Sequence, residues 1–153
     1  MRVFLRVLTA GLGALIATHA YATLGEKLGS STATSQSKLV ASVSSINKSA
    51  YTDNVTTLES DVVIHEYSRA DGTVFAVAWQ GPVMPDMQQL LGTYFSKFIG
   101  ARANSSMPAG GLSQLNSTQS DLVVHSSGRL GRFNGLIYVP SLVPAGLDVE
   151  HLQ

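Results

Sequence analysis

TVFAVAWQGPVMPDMQQLLGTYFSKFI, residues 73–99, is the stretch whose reading decides the fold. Residues 73–80 are apolar at nearly every position, the pattern of a strand covered on both faces. A period of two puts Phe75, Val77 and Trp79 on one face and the smaller Val74, Ala76 and Ala78 on the other, where a helix backbone is expected to approach closely. Gly81-Pro82 ends the strand, because proline has no N–H for the ladder. Asp86 is placed to cap a helix, and Gln89 stands three residues on, where it can reach back as in a capping box. Met87, Leu90, Leu91, Tyr94, Phe95, Phe98 and Ile99 then recur at helical spacing as one apolar stripe, and Gly100 is expected to stop the helix.

Working outward, Ala70-Asp71-Gly72 separates this strand from residues 62–69, a strong hairpin signal. Ser60-Asp61 turns the chain back from a strand over 55–59. Beyond the helix, residues 101–120 have no clear period and read as a mobile connector. Residues 121–126 return to strand, Ser127-Gly128 turns, and 129–139 form a last strand with a bend or bulge at Asn134-Gly135. Pro140, Pro144 and Gly146 end the regular structure. The expected class is α+β: an antiparallel sheet of about five strands in the order β-β-β-α-β-β, with one amphipathic helix packed on it. The single domain is expected over 53–147, preceded by a flexible leader over 23–52 and followed by a polar tail over 148–153. Within the leader, Leu39, Val40, Val43 and Ile46 fit one face of a short helix over 38–48, with a strand as the alternative.

The N-terminus carries an address. Arg2 and Arg6 precede an apolar run over 7–18, and Ala20-Tyr21-Ala22 is a small-x-small cleavage pattern. The run is shorter than the ~20 residues a membrane span needs, so a signal peptide over 1–22, cut after Ala22, is expected. The protein is then periplasmic or secreted, with no membrane span after cleavage. The cut removes two bases and no acid, leaving eight bases against ten acids, a formal charge of −2. That balance argues against a nucleic-acid surface. The sequence has no cysteine, so disulfides, thiolate metal sites and cysteine acylation are excluded.

EYSRADGTVFAVAWQGPVMPDMQQLLGTYF and VVHSSGRLGRFNGLIYVPSLVPAG resemble an uncharacterised family of exported bacterial proteins, the domain of unknown function 2844. The resemblance runs from Leu24-Gly25 to about Asp148. It is carried by Gly72 with residues 74–82, Pro85-Asp86, Leu91-Gly92, Tyr94-Phe95, Gly128-Arg129, Phe133, Gly135 and Pro140. It implies a small periplasmic or secreted protein of a Gram-negative bacterium, and implies no activity, ligand or catalytic residue.

The candidate chemistry is thin. His65-Glu66-Tyr67-Ser68-Arg69 begins like a zinc-protease motif but has Arg69 in place of the second histidine, and it lies on a strand. His65 and His125 are a candidate ligand pair across the sheet, lacking a third partner. No serine sits in a nucleophile elbow, and Gly128-Arg129-Leu130-Gly131 precedes a strand instead of the helix a phosphate loop needs. Asn47, Asn54, Asn104 and Asn116 begin N-x-S/T triplets, which a serine-rich chain produces by chance. Trp79 reads as core rather than as a stacking platform. Arg129, Arg132 and Tyr138 are weighed as a small site for an acidic ligand against a solvated hairpin face. No catalytic, metal or cofactor-binding residue is assigned, and no cofactor is expected. The expected function is non-catalytic binding of another envelope protein or a cell-wall component, with His65, Glu66, Asp121 and His125 dispensable. The alternative is a small exported hydrolase.

Overall fold

A computed structural model describes residues 23–27, 40–48, 50–105 and 113–152. The signal-peptide expectation over 1–22, most of the leader and part of the connector lie outside these residues. Among the described residues seven strands form one antiparallel sheet: β1 Val40–Asn47, β2 Thr52–Leu58, β3 Val63–Ser68, β4 Val74–Gly81, β5 Ser113–Thr118, β6 Val123–Arg129 and β7 Arg132–Tyr138. Their order across the sheet is β1-β2-β3-β4-β7-β6-β5. The first four strands pair in sequence. The helical segment then carries the chain from central β4 to the far edge, and β6 and β7 return to close on β4. The class is therefore α+β, with seven strands instead of about five.

Both added strands are at the edges. Residues 40–47 adopt the strand alternative, not the short helix, because pairing with β2 from Val40↔Leu58 to Asn47↔Thr52 supplies a ladder to a serine-rich stretch of poor helix propensity. Within the expected connector, residues 113–118 pair with β6 from Ser113↔Gly128 to Thr118↔Val123. The last hairpin turns at Leu130-Gly131 rather than Ser127-Gly128, since Gly131 takes φ +76° and Gly128 stays in the ladder. The register runs unbroken through Asn134 and Gly135, so the expected bulge is absent there.

The bulge lies elsewhere. Tyr67 pairs with Ala76 but Ser68 pairs with Val74, which leaves Phe75 as the extra residue. This slip reverses the side-chain phase at the start of β4. Val74 joins Val77 and Trp79 in the core under the helix, while Phe75 joins Ala76 and Ala78 on the opposite face. The helix thus covers the large face of β4, not the small one, and fills it with Met87, Leu90, Leu91 and Phe98.

Asp86 caps the helical segment, its carboxylate accepting from the backbone N–H groups of Gln88 and Gln89 at 3.0 and 3.1 Å. The segment comprises α1 Met87–Leu91, a 3-10 turn Gly92–Tyr94 and α2 Phe95–Asn104. It passes the expected stop at Gly100, because Ala101 one residue on is buried. Ile99, expected in the apolar stripe, is 46% exposed, since the 3-10 turn rotates α2 relative to α1. Gly92 has φ +48°, and a side chain there would collide with Thr23.

That collision marks where the N-terminal segment docks. Leu24 is fully buried. Its N–H donates to the Leu90 carbonyl at 3.0 Å, Gly25 donates to Val74 at 2.8 Å, and Val74 donates back to Glu26 at 2.9 Å. The first residues of the expected leader thus clamp the helix to β4. At the other end, residues expected as a polar tail also dock: Val149 and Leu152 are buried against Tyr67, Phe75 and Leu136 on the second face.

Candidate functional site

Cross-strand register decides which polar groups meet. Asp53 on β2 faces Tyr67 on β3, and His65 lies two residues away on the same face. The His65 Nδ1 sits 3.0 and 3.2 Å from the two Asp53 carboxylate oxygens. Its ring stacks on Tyr67, with centroids 5.9 Å apart and planes 17° from parallel. The Tyr67 hydroxyl in turn donates to the Leu152 carbonyl at 2.9 Å, and burial pushes its pKa well above the ordinary phenol range. Asp53 is buried while His65 is partly exposed, so the carboxylate orients the imidazole through Nδ1.

A carboxylate-held imidazole is the base half of a nucleophilic centre and also the orienting pair behind many metal-bound histidines. Among the described residues no hydroxyl bonds to this imidazole. No group of three or more His, Cys, Asp and Glu capable of holding a metal occurs among them. Glu66, adjacent in sequence, points to the other face and is buried, so it does not join His65.

His125 shares the face and the cross-strand row of His65, with Ala78 and Leu136 between them. Three inter-strand steps separate the two rings by ~14 Å, too far for one ion. His125 instead lies 3.2 Å from the Asn116 side-chain oxygen through Nδ1. Asp121 pairs with Lys97 of α2, and the ammonium hydrogen bond holds its carboxyl below the ordinary value. Lys97, Gly100, Ala101 and Asn104 of α2 face Asn116 and Ser117 of β5 across an open groove of about 480 Å³. Trp79 is core as expected, 2% exposed, with its indole N–H lacking an acceptor. Its ring lies against Gly135, where a Cβ would also come within 2.8 Å of the His125 carbonyl oxygen.

Arg129 and Arg132 are direct cross-strand partners at the β6–β7 turn. Tyr138 lies six residues along β7 from Arg132, ~20 Å away, and packs in the second core. The three residues weighed as one acidic-ligand site therefore do not converge. Asp53 escaped the sequence reading because its role depends on the β2–β3 register; alternate polar residues on two hairpin strands were the available signal.

Among the described residues, no helix is long and apolar enough to cross a membrane. Neither the curated proteins nor the solved structures contain a match to the chain. The family model for a protein of unknown function, DUF2844, matches residues 20–152, a span that takes in the docked segments at both ends, so the chain belongs to that family.

Proposed function

We propose that the chain is an exported protein, cut after Ala22 and resident in the periplasm or secreted, that acts by binding a component of the bacterial envelope. The observation that carries the binding reading is the second sheet face. Its middle is sealed by the C-terminal segment, but Gln80, Gln114, Asn116 and Thr118 remain exposed beside it as an open polar surface. Flat, hydrogen-bonding sheet surfaces suit recognition, whereas chemistry needs reactive groups in contact. Export is supported by the basic, apolar and small-residue segments of 1–22. The burial of Thr23 and Leu24 further makes the expected mature N-terminus part of the folded domain from its first residue.

Mass spectrometry of the protein recovered from the periplasm should find Thr23 at the N-terminus. The mature chain should co-sediment with isolated cell-wall sacculi, and His65→Ala should bind equally well. Intact Met1 in the membrane fraction overturns the export reading. The Asp53–His65 pair favours a second reading, a small hydrolase. Ester turnover by the purified chain, abolished in a folded Asp53→Asn variant, would replace the binding reading with that one.

A further inference from the structure

Arg129 and Arg132 stand directly opposite one another, and both are exposed. Like charges in that position repel across the strand pair. Among the described residues, no carboxylate lies within ion-pair distance of either guanidinium. Strand alternation puts both arginines on the side of the sheet away from the helix, in line with Ser127 on β6 and Asn134 on β7. The neighbouring row crosses four strands as Gln80, Asn134, Ser127 and Gln114, a span of ~14 Å. Ser127 donates its hydroxyl to the Asn134 side-chain oxygen at 2.7 Å, which leaves the Asn134 amide N–H groups as the outward donors. The row contains amides and a hydroxyl and no carboxylate. A cationic, donor-rich strip thus sits on a chain whose expected mature form carries a net charge of −2.

We propose that this strip, Arg129 and Arg132 with Gln80, Asn134, Ser127 and Gln114, binds an acidic glycan lying along the sheet. The inference deepens the binding reading above and rests on it. Guanidinium groups present paired N–H donors that match the two oxygens of a sugar carboxylate. The amides beside them take ring hydroxyls as donors or acceptors. A protein partner is the poorer fit, because stable protein interfaces are centred on a cluster of buried aromatic or aliphatic anchors, and here the amide row offers none and the turn between the arginines a lone exposed Leu130. Lys97 belongs to the helix side and is already paired with Asp121, so it takes no part.

The test is direct binding of the purified mature chain to polygalacturonate, with dextran as the uncharged polymer and polyglutamate as the acidic polypeptide. Polygalacturonate should bind, and more weakly as added salt screens the arginines. It should bind about tenfold more tightly than dextran, the size two exposed charge-assisted contacts supply, and more tightly than polyglutamate, which lacks the ring hydroxyls the amide row takes up. Arg129→Gln/Arg132→Gln should lose that tenfold while its melting temperature does not fall below the parent's, since the cross-strand repulsion is relieved. Gln114→Ala should weaken binding less, and Lys97→Gln should bind as the parent does. Equal binding of dextran, or unchanged binding by the double variant, overturns the site. Polyglutamate binding as tight as polygalacturonate overturns the glycan assignment in favour of an acidic polypeptide. None of these failures would move the N-terminal mass or the sacculus co-sedimentation, so the two readings fail separately.

Discussion

The two faces of the sheet are built differently. On one, Ile64, Val77, Trp79 and Ile137 meet the helical segment and Leu24, and the cover extends across to Leu115 on edge strand β5. On the other, among the described residues, Phe75, Ala76, Ala78 and Leu136 are covered by Tyr51, Tyr67, Tyr138 and the short C-terminal segment ending at Leu152. A long amphipathic helix presents a continuous apolar stripe and can seal many strands at once. A chain end that makes only isolated 3-10 turns, Pro140–Leu142 and Val149–His151, covers less. What it leaves uncovered on β5, β6 and β7 is polar, and that remainder carries the candidate binding strip. The helix-covered face therefore buries the larger apolar cluster, and the half-covered face leaves polar side chains exposed among the described residues.

Removing a core anchor on the helix side should produce the largest effect. Leu91 is fully buried, and Leu91→Ala should cost roughly 2–5 kcal/mol in denaturant unfolding. Phe95→Ala, at a half-buried position on the same segment, should cost less. Equal, near-zero losses at both would mean that the helix does not seal that face.

A smaller effect is expected on the second face. Tyr67→Phe removes the hydrogen bond to the Leu152 carbonyl and leaves that oxygen buried, at a cost of about 1–2 kcal/mol. Hydrogen exchange should then rise first near residues 149–152, because that bond ties the C-terminal segment to β3. If protection is lost uniformly instead, the two faces are a single cooperative unit.

The smallest change should come from Asp121→Asn, which breaks the pair with Lys97 at the solvent-exposed groove. The folded carboxyl is held below its ordinary value of 3.8, so its contribution is present above that value and fades as pH falls below it. At neutral pH the melting temperature should scarcely move, and at acidic pH the variant and parent should converge. A large loss at neutral pH would make the groove part of the core.

The hairpin at Asp71-Gly72 was legible because Gly72 supplies φ +83° and Asp71 accepts from the Thr73 N–H at 3.0 Å, both local requirements. The Asp86 cap was legible for the same reason. Strand β5 was not, since in SQLNST Leu115 is the one buried side chain among those described, and an edge strand open on one face shows no apolar alternation. The faces of β4 were misread because a single bulge at Phe75 reverses the phase, and nothing in the residues themselves marks where pairing slips.

The candidate site divides along the same line. That His65 lies on a strand, that Trp79 is core and that the glycine-rich turn belongs to a hairpin are each readable from neighbours within a few positions in the chain. Asp53 meeting His65, the ~14 Å between His65 and His125, and the alignment of Arg129 and Arg132 with Gln80 and Gln114 depend on register across four strands. The amino-acid sequence by itself determined the Asp71-Gly72 hairpin, the Asp86-capped start of the helix and the family, because each is written in short-range residue chemistry. Strand order, the choice of face, the docking of both chain ends and the company each polar side chain keeps were decided only by the tertiary structure, because hydrogen-bond pairing brings together residues that no local pattern relates.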